Sequence, residues 1–265
     1  MDAEILAYYE LGGEVDRLSA GQGVIERVRT QDILRRVLPV APARVVDVGG
    51  ATGEYAAWLA ALGYDVRLID PVPLHVAAAR ARGVDTALGD ARRLTEPDDS
   101  ADAVLLLGPL YHLTSRPDRI AALAEAERVA RPGGLVVGAA ISRFASAHVA
   151  ITQPRADDPE FLQTVASDLA TGVHRNPSRR PGLFTTAYFH RPEDLADEFR
   201  AAGLADVRVR GVEGVAGWCD PAVTPALADP AQRAVLLDLL ARLEEEPSVL
   251  GASAHLLATG VTPPG

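Results

Sequence analysis

Arg44-Val-Val-Asp-Val-Gly-Gly-Ala-Thr-Gly53 is the stretch that decides the fold of this chain. A short β-branched run ends in a carboxylate and turns through glycines into a helical pattern. Val45, Val46 and Val48 read as a strand buried on both faces, as strands of a parallel sheet are. Gly49, Gly50 and Gly53 let the backbone turn sharply and come close to a ligand. Glu54 to Leu62 reads as helix, so the loop should aim backbone N–H groups at whatever sits above the strand. Such a site suits a nucleotide or a carboxylate. The dinucleotide fingerprint G-x-G-x-x-G, started at Gly49, asks for glycine at positions 51 and 54, where Ala51 and Glu54 stand. The pattern is instead D-x-G-x-A-x-G, from Asp47 to Gly53, which argues against a NAD-dependent oxidoreductase.

Outward from this loop the chain alternates strands and helices. Strands are predicted at 44–48, 65–69, 84–87, 102–107 and 135–141, with helices at 53–62, 73–82 and 117–130 between them. The helix at 117–130 is read as ending at Arg131-Pro-Gly-Gly134, before the strand at 135. This rhythm implies a doubly wound, mostly parallel sheet with right-handed crossovers. Ligands of such sheets bind beyond the carboxyl ends of the strands. Residues 1–40 read as N-terminal helices, and 41–141 as the cofactor-binding core. Residues 142–190 interrupt the rhythm with Pro, Arg and one helical patch near 159–170. A segment that long inside a compact domain is usually functional, here a lid over the substrate side. Residues 191–262 return to the same sheet, with a helical insertion at about 215–250 and a last strand at 252–259.

At 265 residues and 48% hydrophobic composition, the chain can bury one α/β domain with insertions. Its net charge of −10, with no basic stripe, excludes DNA or bulk RNA as the expected partner. Cys219 is the only cysteine, so an internal disulfide or a cysteine metal site is not expected, nor is any other metal. An acidic N-terminus and apolar runs far short of about 20 residues point to a cytoplasmic protein without a membrane span.

Successive strands end in candidate site residues. Asp70, at the end of the second strand, can accept both hydroxyls of an unphosphorylated ribose, or can cap the helix after Pro71. Asp90 and Ala91 follow the third strand, and Leu107-Gly-Pro-Leu-Tyr-His-Leu113 follows the fourth. Asp47–Gly53, Asp70, Asp90 and Gly108–Leu113, with Arg-Pro-Gly-Gly after the next helix, resemble the class I S-adenosylmethionine-dependent methyltransferases. The similarity is to the small-molecule branch that includes the quinone-biosynthesis type.

The resemblance implies a seven-stranded Rossmann-like sheet and S-adenosylmethionine as cofactor. It also implies a small-molecule methyl acceptor, on a monomer or a homodimer. It places Asp47, Gly49, Gly50, Ala51 and Gly53 at the methionine end, Asp70 and Pro71 at the ribose, and Asp90 and Ala91 at the adenine. Leu107 and Gly108 would border the methyl group, where Tyr111 and His112 are the nearby proton-transfer groups. The alternative reading of His112 is a residue that packs and caps the next helix. Tyr8, Tyr9, Glu14 and Arg17 would fold over the cofactor, with Arg17 on its carboxylate. Phe184, Tyr188 and His190 could line an acceptor pocket. A non-methylating user of the same cofactor, a NAD-dependent oxidoreductase on a similar sheet and a non-catalytic binding protein are the alternative readings.

Overall fold

A computed structural model describes residues 3–9, 18, 21–153, 157–176, 180, 183–218 and 220–265. The chain opens with α1 (Ala3–Tyr9) and α2 (Gln22–Val37). The alternating core follows as β1 (Arg44–Val48), α3 (Glu54–Ala61), β2 (Asp65–Asp70), α4 (Pro73–Ala81), β3 (Asp85–Leu88) and β4 (Ala101–Leu106). Next come the one-turn α5 (Pro109–His112), α6 (Arg116–Val129) and β5 (Ala130–Ser142). An inserted unit holds α7 (Ala145–Thr152), α8 (Pro159–Thr171), β6 (Val173–His174) and β7 (Ala187–His190). The chain closes with α9 (Pro192–Ala201), β8 (Ala205–Gly211), α10 (Asp220–Ala228), α11 (Pro230–Leu243), α12 (Pro247–Leu250) and β9 (His255–Val261).

The main sheet runs β3-β2-β1-β4-β5-β9-β8, parallel except for β9, which pairs antiparallel with both β5 and β8. Seven strands, mostly parallel and covered on both faces, match the expected fold. The period-2 pleat divides each strand between two cores. Val46, Val48, Val104, Leu106 and Val136 pack against α6 and α9 through Leu123 and Phe199. Val45, Ala103, Leu105 and Val137 face α2, α3 and α4 through Ile33, Leu34, Leu59 and Ala79. Burial on both sides explains why the strands read as unbroken apolar runs. Each fully buried Leu or Val is worth about 1.5–3 kcal/mol.

Three sequence expectations change. Arg131–Gly134 does not end one element before another: β5 already pairs at Ala130 with Ala101, the tetrapeptide bulges out, and pairing resumes at Leu135 with Ala103. The last strand starts at His255, not at 252. The Ala252 carbonyl is taken by the Trp218 indole N–H, and the Ser253 hydroxyl donates to Glu213, so both residues belong to a turn. Residues 142–190 hold two helices and a two-stranded ladder rather than one helical patch. Ile141 pairs with both His255 and Phe189, so β7 takes up the edge of β5 beyond the end of β4. Among the described residues, no helix is long and apolar enough to cross a membrane.

Candidate active site

A cavity of about 460 Å³ lies beyond the carboxyl ends of β1, β2 and β4. Gly49, Gly50, Ala51, Asp70, Pro71, Asp90, Ala91, Leu107, Gly108, Tyr111, His112 and Tyr9 all line it. Twelve predicted positions, spread over about 100 residues of chain, are thus brought to one wall. The glycine loop is built more tightly than expected. Gly49 N–H donates to the Ile69 carbonyl at 2.6 Å, and Gly53 N–H to that of Gly50 at 3.0 Å. Ala51 adopts a left-handed φ of 48°, costly for a residue with a Cβ, and its N–H is held by Asp70 Oδ2 at 3.0 Å. Those three donors serve the loop itself. Gly50 and Thr52, which also line the cavity, are the loop's remaining donors among the described residues.

Asp70 makes the cap that its position suggested, and it also lines the cavity. Its Oδ1 accepts from Val72 N–H at 2.9 Å, capping the turn into α4, and meets His75 Nδ1 at 3.1 Å. Its Oδ2 ties down the glycine loop. Oδ1 thus meets two partners, whereas Oδ2 has one and keeps lone-pair capacity of the kind a ribose hydroxyl needs. Asp90 is clamped by Arg92, at 3.0 Å to Nε and 2.7 Å from its Oδ2 to Nη2. The guanidinium beside it holds the Asp90 carboxyl down to about 2. Arg92 also reaches Asp118 at 3.4 Å and completes the rim. Sequence reasoning missed both His75 and Arg92. A histidine or arginine two to five residues after a strand-end aspartate carries no periodic or motif signal.

Tyr9, from α1, closes the cavity. Its hydroxyl is hydrogen-bonded to His112 Nε2, and its ring meets His75 and His112 edge-on at 5.0 and 5.2 Å. Arg17 and Glu14 lie outside the described residues, as does Cys219.

Two predicted contacts are not made directly. Asp47 is fully buried behind the loop and does not line the cavity. Neither of its oxygens finds a hydrogen-bond partner among the described residues. Burial, helped by the Asp70 charge, raises its carboxyl to about 7. Gly53 also lies off the cavity. Its φ of 81° caps α3, and a Cβ there would stand 2.9 Å from Ala79 Cβ, so this glycine serves helix packing.

A second cavity of about 260 Å³ shares Tyr55, Leu107 and Tyr111 with the first. Its wall is mainly apolar, with Ile141, Val149, Phe161, Leu183, Phe184 and Phe189. Phe184 lines it as expected, but Tyr188 and His190 do not. Tyr188 lies under the Arg119 guanidinium at 3.7 Å. His190 is wholly buried, 3.2 Å from Glu198, which also takes Arg119 at 2.7 Å. Burial lowers His190, whereas burial of Glu198 is outweighed by its bonds from His190 and Arg119, which hold it to about 2. These residues tie β7 to α6 and α9. At the far side, ligand atoms of Glu26, Glu213 and His255 lie within 4.8 Å of one another, a spacing that a cation can bridge. His255 Nδ1 and backbone N–H already bond Glu213.

Residues 46–138 match the family model described as a methyltransferase domain. A demethylmenaquinone methyltransferase of Mycolicibacterium paratuberculosis is 31% identical over 223 residues, covering 78% of this chain and 84% of that protein. One from Clavibacter sepedonicus is 33% identical, covering 74% and 78%. Among solved structures, a Thermotoga maritima protein described as a possible histamine N-methyltransferase superposes with a TM-score of 0.58. It is 18% identical, and the match covers 97% of this chain and 98% of that one, so it speaks for the fold alone.

Proposed function

Since the chain belongs to the S-adenosylmethionine-dependent methyltransferases of the quinone-biosynthesis type, we propose that its acceptor is the ring of a reduced, hydroxyl-bearing quinone held in the second cavity. It is an enzyme that moves a methyl group from S-adenosylmethionine to a small molecule. The observation that carries the acceptor reading is the joint between the two cavities at Tyr55, Leu107 and Tyr111. A flat apolar ring in the second cavity would meet the first only there. The demethylmenaquinone activity named for the relatives supports the ring class.

The residues fit the cofactor. Asp70 suits a ribose, Gly50 and Thr52 a carboxylate, and Ile69, Val72, Ala91 and Leu107 a purine. S-adenosylmethionine supplies a methyl already activated on a sulfonium. The protein's task is therefore positioning and exclusion of water. Tyr9 shuts the cavity, and the 142–190 segment walls the acceptor side. His112 and Tyr111 line the first cavity, and Tyr111 also stands at the joint. We read the protein as cytoplasmic, as a monomer or homodimer, and as acting on no nucleic acid, in keeping with its charge of −10.

Incubation with S-adenosylmethionine and a demethylated menaquinol should yield S-adenosylhomocysteine and a product heavier by one methyl, read by mass spectrometry. Binding of S-adenosylhomocysteine without any methylation of hydroxylated naphthalene or benzene rings would sink the acceptor reading.

A further inference from the structure

Two polar atoms stand out in the apolar second cavity. His174 and Ser146 both line it, and His174 Nε2 and Ser146 Oγ are buried without a hydrogen-bond partner among the described residues. A buried donor or acceptor left unmade is costly, so such atoms mark where a ligand completes the bonding. His174 is also positioned from behind. Gly172, with a left-handed φ of 77°, caps α8 and turns the chain back on itself. His174 is thereby brought over Asp168, six residues earlier. Its Nδ1 lies 2.9 Å from Asp168 Oδ2, and Asp168 is wholly buried. The ring is stacked on Phe189 at 4.8 Å and 9°. With one face packed and Nδ1 held, the imidazole has one orientation.

We propose that Asp168 and His174 form a base dyad that takes the proton of an acidic hydroxyl on an aromatic acceptor. This rests on the reading of the second cavity as the acceptor site. A carboxylate can only accept, so Nδ1 carries the hydrogen and the neutral ring presents the Nε2 lone pair. The acceptor O–H bond breaks, its electron pair stays on oxygen, and the proton goes to Nε2. Asp168 stabilises the imidazolium that results. The oxyanion makes the ring a stronger nucleophile toward the activated methyl. Ser146 Oγ offers a second hydrogen bond to an oxygen substituent. The other charged groups around the dyad are Arg143, whose guanidinium lies behind Gly172, and Glu26 and His255 on the cavity wall. The base role moves from His112, which is bonded to Tyr9 in the cofactor cavity, to a residue that sequence reading passed over.

The test uses 4-nitrophenol, whose absorption separates phenol from phenolate, with the full-length protein saturated in S-adenosylhomocysteine at roughly pH 6, near the ordinary histidine value. Wild-type protein should bind the probe as phenolate. His174→Gln and Asp168→Asn should bind S-adenosylhomocysteine within about twofold of wild type yet leave bound probe in the phenol form. With a productive acceptor, His174→Gln should lose about 10²-fold or more in kcat, the usual size of general-base catalysis, with little change in KM. Phenolate on both variants, or none on the wild type, overturns the proposal. Turnover of a quinol that His174→Gln leaves intact also overturns it, while the acceptor reading survives. A phenolate signal without any quinol turnover does the opposite.

Discussion

Replacing Asp47 by Asn should stabilise the protein, and more so as pH rises. Asp47 is fully buried, its oxygens find no donor among the described residues, and its carboxyl is raised from 3.8 to about 7 by burial and the neighbouring Asp70 charge. A carboxyl with a raised folded-state pKa binds its proton more tightly when folded. Stability is therefore full below 3.8, drains away as pH climbs toward 7, and stays lost above. At about 1.36 kcal/mol per pKa unit, the full loss is about 4 kcal/mol. About 2 kcal/mol of it is already gone at pH ~5.5, and the remaining ~2 kcal/mol goes between there and pH ~8. Asn keeps the shape and cannot ionise. The gap in Tm between the variant and the wild type should then widen by roughly 4–8 °C from pH ~5.5 to pH ~8. Thermal melts of both proteins at each pH, followed by circular dichroism, measure it, and titrating groups that do not interact with Asp47 cancel in the difference. A gap that is the same at both values would refute the assignment of an uncompensated carboxylate beneath the glycine loop.

Asp70→Ala removes the acceptor for Ala51 and Val72 N–H as well as the proposed ribose ligand. S-adenosylhomocysteine affinity by calorimetry should drop by about 10²-fold or more, given roughly 1.5–3 kcal/mol for each charge-assisted hydrogen bond. Glu198→Gln leaves Arg119 buried without its counter-ion. The cost should be about 3–5 kcal/mol in denaturant melts, whereas a surface pair such as Arg200–Asp197 should show less than about 1 kcal/mol on the same treatment.

The predicted elements around β1, β2 and β4 match because their signals are local. Valines in succession, glycines after a strand, and an aspartate at a strand end act within about ten residues of each other. Gly53 shows where that logic stops. It fits the loop motif, yet its space is set by Ala79 on the next helix. His190 and Tyr188 look like pocket residues in one dimension. Their partners, Glu198 and Arg119, decide otherwise, and Arg119 reaches Glu198 across 79 positions. His174 carried no motif at all, and its meaning depends on Asp168, Phe189 and a cavity built from distant elements.

Residue order alone settled the class of sheet, the cofactor loop and the carboxylates at successive strand ends. These follow from side-chain periodicity and from the φ values that glycine permits, both properties of neighbouring residues. Folding settled which of His112 and His174 lines the second cavity, which carboxylate is left without a partner among the described residues, and which loop N–H groups remain for a ligand. Those depend on burial and on contacts across long stretches of chain. Desolvation and hydrogen-bond supply exist only once β1, β4, β5 and the inserted helices have closed around the same space.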